Sequence, residues 1–533
     1  AREAVHCLSV ERVRLHLPGN RTRRVATRPN PMKIGSGVSR ERRGLLHFGF
    51  ASTPIQREIK LNVNNFFTCA ATGAKRFFPK PGKAIIAMIL AFGIAIGGMG
   101  IHGFAYAEDE NQARISVEKA KLATQYTNTA KTHYERGDYT TALVLNQKAL
   151  AIREEVLGKE HPDTALSYNN IGAMHHRLGA YTEALEWCQK ALSVREAVLG
   201  KEHPDTAESY NGIAVIYQSQ GDYPKALKWH LKALAIREKM LGKGHLDTAT
   251  SYNNIAGIYA SQGNSHEALT WYRQALTIRE RALGKEHPDT ASIYSSIATM
   301  YEEQNAYPEA LEWSQKALSI RERVLGTKHP DTADSYHIIG IIYNAQGNYA
   351  EALEWYRKAL SIREKILGKE HPDTAQSYKN IAAIYNEQIN YPEALAWYRK
   401  ALAIFEKTLG KEHPNTAACY NNIAGIYDSQ GNYPEALAWY HKALTILEKI
   451  LGKEHSLTAV CYNNIGKVYQ HQGHYDKALA ELLKAYKTIS RALGETHPTT
   501  QAVKGNMKET WEKMEASKQK PFAQWLEEAL RPS

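Results

Sequence analysis

The sequence predicts an all-α solenoid of tandem antiparallel helix pairs, and three observations carry that prediction. A histidine recurs at His161, His203, His245, His287, His329, His371, His413, His455 and His497, with every step 42 residues long and no insertion. Each interval holds two stretches of helical periodicity parted by a glycine turn. No part of the interval alternates apolar and polar residues as a half-buried strand does. A fixed period of roughly 20 to 50 residues marks an array whose units bury their faces only by stacking.

The unit reads H-P-D-T-A-x-S-Y-N-N-I-A-x-I-Y-x-x-Q-G-x-Y-P-E-A-L-x-W-Y-x-K-A-L-x-I-R-E-K-x-L-G-K-E. One step back from His161 lies Lys119, after which Gly137, Tyr139, Ala142, Leu150 and Gly158 still match, so nine units span 119–496. In the unit at 203, Pro204 stands where a first helical turn tolerates a missing N–H, and Asp205 complements the helix dipole. Helix A then runs to about Gln220, with Ala207, Tyr210, Ile213, Ala214 and Tyr217 at the spacing of a buried stripe. Gly221 stops it, Pro224 opens helix B, and Gly242 ends helix B after Leu241.

Small residues show how the two helices meet. Eleven residues after the histidine stand Gly172, Ala214, Ala256, Ala298, Gly340, Ala382, Ala424 and Gly466, and helix B presents Ala184, Ala226, Ala268 and their equivalents. Small side chains let helix axes approach while Tyr and Leu neighbours fill the flanks.

This combination of a small residue in helix A, a Gly-x-Tyr turn and an Ala, aromatic, Ala series in helix B resembles tetratricopeptide repeats. The 42-residue length, the Asn-Asn-Ile of helix A and the Leu-Gly-Lys-Glu-His-Pro-Asp-Thr junction are similar, more narrowly, to kinesin light chains and their bacterial relatives. The resemblance covers residues 119–496 and implies a superhelix whose A helices line a concave, protein-binding groove.

Net charge is +12, but residues 1–83 hold 17 basic and 4 acidic side chains, whereas 108–533 hold 50 basic and 51 acidic. A near-neutral repeat body lacks the basic surface that a phosphate backbone needs, so no nucleic-acid partner is expected. Lys75, Arg76, Lys80 and Lys83 precede an apolar run from Ala84 to Ile101, followed by Ala105-Tyr106-Ala107. That order reads residues 75–107 as a secretory signal peptide cleaved after Ala107, hence a periplasmic or extracellular protein; retention of 84–101 would make it a membrane anchor. Otherwise the location is cytoplasmic. Residues 1–74 form an unassigned basic leader, read either as an over-extended reading frame or as an organelle transit sequence. Residues 108–118 lead into the repeats, and 497–533 read as capping helices, with Lys504 and Lys508 replacing apolar residues and Phe522, Trp525, Leu526 and Leu530 amphipathic.

Other constellations have bland readings. One histidine per repeat forms a ladder of separated rungs, whereas metal ligands converge on one ion at about 2 Å; the histidines, including the His175-His176 pair, read as junction residues. Trp187, Trp229, Trp271, Trp313, Trp355, Trp397 and Trp439 read as an inter-repeat packing surface. Glu186 with Lys190, Glu312 with Lys316 and Glu354 with Lys358 read as a solvated helix face. Cys188, Cys419 and Cys461 read as packed thiols. No phosphate loop, nucleophile elbow, C-x-x-C pair or zinc-protease motif stands in 108–533, so neither an enzyme nor a cofactor is expected.

The asparagines are different. Helix A carries Asn169-Asn170, Asn211, Asn253-Asn254, Asn380, Asn421-Asn422 and Asn463-Asn464, with Asn128 and Asn506 near the ends. Asparagine is a mediocre helix former. The resemblance places these amides in the groove, where each offers a donor and an acceptor to an extended peptide; the alternative is that they tie neighbouring helices together. The ladder is broken by Ser295-Ser296 and by His337-Ile338, and Glu302 and Glu303 suggest a stretch that prefers a basic or neutral segment. The expected function is a non-enzymatic scaffold or adaptor binding a protein or peptide, with a cytoplasmic kinesin-light-chain-like cargo adaptor or a structural, self-assembling rod as alternatives.

Overall fold

The computed structural model describes residues 100–514 and 520–531, with side chains from Gln112 onward. Among the described residues there are twenty helices and no strand. They begin with α1 (Gly100–Glu135), α2 (Tyr139–Leu157), α3 (Pro162–Arg177), α4 (Tyr181–Val198), α5 (Pro204–Ser219) and α6 (Tyr223–Leu241). The alternation continues through α7 (Leu246–Ser261), α8 (Ser265–Leu283), α9 (Pro288–Glu303), α10 (Tyr307–Leu325), α11 (Pro330–Ala345) and α12 (Tyr349–Ile366). It ends with α13 (Pro372–Glu387), α14 (Tyr391–Thr408), α15 (Pro414–Ser429), α16 (Tyr433–Ile450), α17 (Ser456–His471), α18 (Tyr475–Leu493), α19 (Pro498–Glu512) and α20 (Phe522–Leu530). Odd numbers up to α19 are A helices and even numbers up to α18 are B helices. The predicted lead-in 108–118 lies inside α1, whereas the leader and most of the apolar run fall outside the described residues. No helix among the described residues is long and apolar enough to cross a membrane.

The histidine of each unit is a helix cap. His161 has extended backbone (φ −86°, ψ 140°), and its Nδ1 accepts the N–H of Asp163 at 3.1 Å; the same bond recurs from His203 to His497. This satisfies one of the four orphan donors of a helix start. One residue beyond Asp163, Thr164 donates its hydroxyl to the carbonyl of Gly158 at 2.8 Å, and Tyr168 donates its phenol to Glu154 at 2.6 Å. These two bonds also repeat along the array, so each A helix from α3 to α17 is pinned to the B helix before it. Inside a unit the helices close over the small residues: a Cβ on Gly172 would stand 2.6 Å from Cys188 Sγ and 3.1 Å from the Ala184 carbonyl.

Curvature follows from which helices touch. Beyond consecutive neighbours, the closest helix pairs are all A with A, such as α3 with α5 and α9 with α11. The A helices therefore lie on the inside of the bend.

The bend is tight enough for the chain to meet itself. The turn at Gly137 in the first unit abuts His371 and Pro372, six units on. Gly179 meets His413 and Pro414, Gly221 meets His455, and Gly263 meets His497, always with the same offset. One superhelical turn thus closes along a seam with one contact per unit. A Cβ on these glycines would stand 2.3 to 3.2 Å from the facing His or Pro atoms, whereas Gly347, Gly431 and Gly473 have nothing within 4 Å. Across the seam, Tyr134, Tyr139 and Met174 join the same core as Tyr378, Phe405 and Tyr420.

Replacing Gly431 with Ala should cost about 1–2 kcal/mol from its left-handed backbone (φ 74°) alone. Gly179→Ala and Gly221→Ala should cost more and also expand the molecule in small-angle scattering. Equal radii of gyration for all three variants would show that the seam does not hold in solution.

Candidate protein-interaction surface

The inner surface is built from A-helix positions, and the predicted asparagines occupy its middle. Asn169, Asn170, Asn211, Asn253, Asn254, Asn421 and Asn463 are buried, Asn380, Asn422 and Asn464 half-buried, and Asn128 exposed. Asn464 donates to Asn421 Oδ1 at 3.1 Å, Asn506 to Asn463 Oδ1 at 2.9 Å, and Asn169 to Ser209 Oγ at 3.3 Å. In the gap of the ladder, Asn380 bonds the ring of His337 at 3.2 Å. Each bond joins two successive A helices. The amides meet one another because the A helices sit on the inside of the bend.

Some amide atoms in this layer lack a protein partner, including both on Asn170, Oδ1 of Asn169, Nδ2 of Asn254 and Oδ1 of Asn386. The stripe formed by the ninth and twelfth residues after each histidine changes character along the chain. It is closed at Asn170, Ala173, Val215, Asn254 and Gly257, then half-open at Ser296, Thr299, Ile341, Asn380, Asn422, Gly425, Asn464 and Lys467. Units two to four, where it is closed, join the seam through Gly179, Gly221 and Gly263; unit one, where Asn128 is exposed, and units seven to nine, where the stripe is half-open, join it as well.

Sequence reasoning missed a second ladder just behind the stripe. Arg153, Arg195, Arg237, Arg279, Arg321 and Arg363 are buried near the ends of the B helices. Arg237 donates to Ser251 at 2.9 Å, Arg321 to Ser335 at 2.7 Å and Arg363 to Ser377 at 2.7 Å, each fourteen residues on in the next A helix. Arg363 also pairs with Asp334 at 2.8 Å. Asn211, with its amide nitrogen turned to His230, accepts from Arg237 at 2.6 Å. Burial pulls Arg153, Arg237, Arg279 and Arg363 below the usual guanidinium value. A signal for this ladder stands in the sequence: apart from Arg279, which faces Ile293, Arg and Ser change together, to Phe405 with Cys419, Leu447 with Cys461 and Ile489 with Val503.

The tryptophans form ring pairs inside their units. Each pairs with the tyrosine of its own unit, as in Tyr210–Trp229 with centroids 5.3 Å apart. Except at Trp271, which Gln274 follows, a lysine three residues on lies over the same ring, at 4.2 Å for Lys190 on Trp187 and 4.0 Å for Lys358 on Trp355. Glu312–Lys316 does form its ion pair, at 2.6 Å.

Electrostatics singles out the fifth unit and the seam. Burial pushes Glu302 up to about 7 and, with the neighbouring Glu302 charge, Glu303 up to about 8. Glu302 is half-buried and Glu303 exposed, so solvent screening weakens the shift at Glu303 more than at Glu302. At the seam, burial and the Arg177 charge push His413 down to about 3, and burial pushes His455 down to about 4. His413 hydrogen-bonds the Arg177 backbone and His455 that of Ser219. Arg177 donates to the Tyr139 phenol at 2.7 Å and lies over its ring. At the far end, Trp511 stacks on Trp525 at 5.0 Å and bonds the Lys520 carbonyl, while Leu526 of α20 is buried. No group of His, Cys, Asp or Glu among the described residues could hold a metal ion.

The tetratricopeptide repeat profile matches residues 121–184, 163–239, 247–323, 306–365, 331–407, 373–449 and 421–491. The chain belongs to the tetratricopeptide repeat family. No curated protein matches it. Among solved structures, a Podosopora anserina kinesin light chain with nearly identical TPR-like repeats is 26% identical, covers 39% of this chain and 98% of its own, and gives a TM-score of 0.33. BtubC (BKLC) from P. vanneervenii is 21% identical over 44% of this chain and 92% of its own, with a TM-score of 0.34. A Rap protein complexed with competence and sporulation factor is 15% identical over 73% and 99%, with a TM-score of 0.46. The tetratricopeptide fold is generally a non-enzymatic scaffold for protein–protein interaction, and the groups above are those such a scaffold has to offer.

The natural exchange of Arg and Ser for Leu and Cys defines a double-mutant cycle at the second repeat. Ser167→Cys alone leaves the Arg153 guanidinium buried without its hydroxyl acceptor and should cost about 2–3 kcal/mol. Adding Arg153→Leu should recover all but about 1 kcal/mol in denaturant titrations. Additive losses would show that the pair is not coupled.

Proposed function

We propose that this tetratricopeptide array is an adaptor that holds an extended peptide or a helix of another protein along the half-open inner stripe of its later units. The carrying observation is that Asn380, Asn422 and Asn464 stay half-buried beside Thr299, Ile341 and Lys467, while the matching stripe at Asn170 and Asn254 is closed. An amide at such a position can trade an inter-helix bond for one to a peptide backbone at little net cost, because neutral hydrogen bonds are each worth only about 1 kcal/mol. Glu302 and Glu303 bias the entrance toward a cationic or neutral segment, since a nearby cation would draw off the protons that burial retains. The apolar run and Ala105-Tyr106-Ala107 support export, and a cytoplasmic cargo adaptor is the alternative.

Peptides selected by display on the full chain should lose about tenfold or more in affinity when Asn380, Asn422 and Asn464 are all changed to Ala, a loss of about 1.4 kcal/mol or more. Unchanged affinity in a variant that melts normally would refute the groove.

A further inference from the structure

We infer that the seam between the first and second superhelical turns is a latch, opened by acid, that sets how open the superhelix is. The seam joins the A–B turns of units one to four to the helix starts at His371, His413, His455 and His497. The latch has one small contact per unit, made by Gly137, Gly179, Gly221 and Gly263 against His371, His413, His455 and His497. Beside them Tyr134, Tyr139 and Met174 pack across the seam with Tyr378, Phe405 and Tyr420, but these are side-chain contacts between intact helices, so the turns can separate without unwinding any helix.

The histidines give the latch its trigger. Each caps its helix through Nδ1, which must be unprotonated to accept the N–H, as for His413 with Asn415 at 3.0 Å. His413 faces the Arg177 charge and His176, and its far side bonds the Arg177 backbone. His455 faces Gly221 and the Ser219 backbone, with Leu457 on its own helix. His371 faces Gly137, with Asp373 beside it at 3.9 Å and acting on Arg177; His497 faces Gly263 beside Thr499. A proton on either central ring breaks the cap and places a cation in a dry interface. The seam holds His413 and His455 well below the ordinary 6.5, so the closed form is favoured above that value and loses ground as pH falls toward 4. For each of these two rings the closed-to-open ratio falls about tenfold per pH unit across that window.

The test is small-angle scattering of the full chain from pH 7.5 to 4, with far-UV circular dichroism recorded in parallel. The radius of gyration should rise below about pH 6 while helicity stays constant. A radius that stays flat to pH 4, or expansion that tracks loss of helix, overturns the latch. Asn caps a helix as well as any residue and does not titrate. His413→Asn with His455→Asn should therefore move the expansion midpoint down by about one pH unit. The open-edge control His161→Asn should leave it in place, and equal midpoints in all three proteins would remove the histidines from the mechanism. Should the double variant already be expanded at pH 7.5, the single variants decide the point, since each must lower the midpoint by part of that shift. The readout is the shape of the unliganded chain, so failure of the peptide-binding proposal leaves the latch testable, and the reverse.

Discussion

The molecule depends on one junction repeated without change of register. A histidine caps helix A, a threonine hydroxyl ties it to the end of the preceding B helix, and a tyrosine phenol reaches back to a glutamate on that same helix. Two bonds between rigid helices, at a helix start fixed by its own cap, leave little freedom in the angle between units. Because the junction recurs every 42 residues, its small rotation accumulates into a superhelix. Closure after about five and a half units is therefore a sum of local geometry, and no separate interaction has to impose it.

Closure in turn decides what the inner asparagines can do. On a gently curved solenoid, amides in the middle of helix A would face solvent and await a ligand. Here the A helices touch, and Asn421 with Asn464 or Asn463 with Asn506 satisfy each other first. A buried neutral hydrogen bond contributes only about 1 kcal/mol net, yet an orphaned amide costs about 1–3 kcal/mol. The pairing thus stiffens the inner wall while leaving it exchangeable wherever a new backbone can be presented. Under the adaptor proposal, helix ties and peptide reading are two states of one set of amides.

Most of the fold was legible because it is local and periodic. Pro204, Gly221 and Gly242 bound their helices within a residue or two of where the chain turns, and the family resemblance carried the concave assignment of helix A. What a consensus unit could not show was contact between units six apart, because the consensus averages over places that differ in surroundings. The tryptophans illustrate the same limit: a periodic aromatic fits a joint between repeats or within one, and only the orientation of helix B against Tyr210 or Tyr378 decides. The buried arginines were hidden by their type, since Arg at a regular helical spacing ordinarily marks a solvated face.

The departures from the consensus carry the long-range information. The second residue after the histidine is Asp163, Asp205, Asp247, Asp289 and Asp331 in the units that begin on the open edge. In the seam only Asp373 keeps its charge, within reach of Arg177, and the rest become Asn415, Leu457 and Thr499. An isolated carboxylate in that interface would lose hydration without gaining a partner. The opposite side of the seam obeys a steric rule. Every turn that faces a histidine has glycine, whereas the two non-glycine residues at this position, Asn305 (φ 58°) and Ile389 (φ 62°), lie in turns beyond the seam. A left-handed isoleucine is strained wherever it sits, but at Ile389, which is 70% exposed, its Cβ has no facing helix to strike. The periodic residues thus specify the unit, and the exceptions to the period record where the superhelix closes on itself.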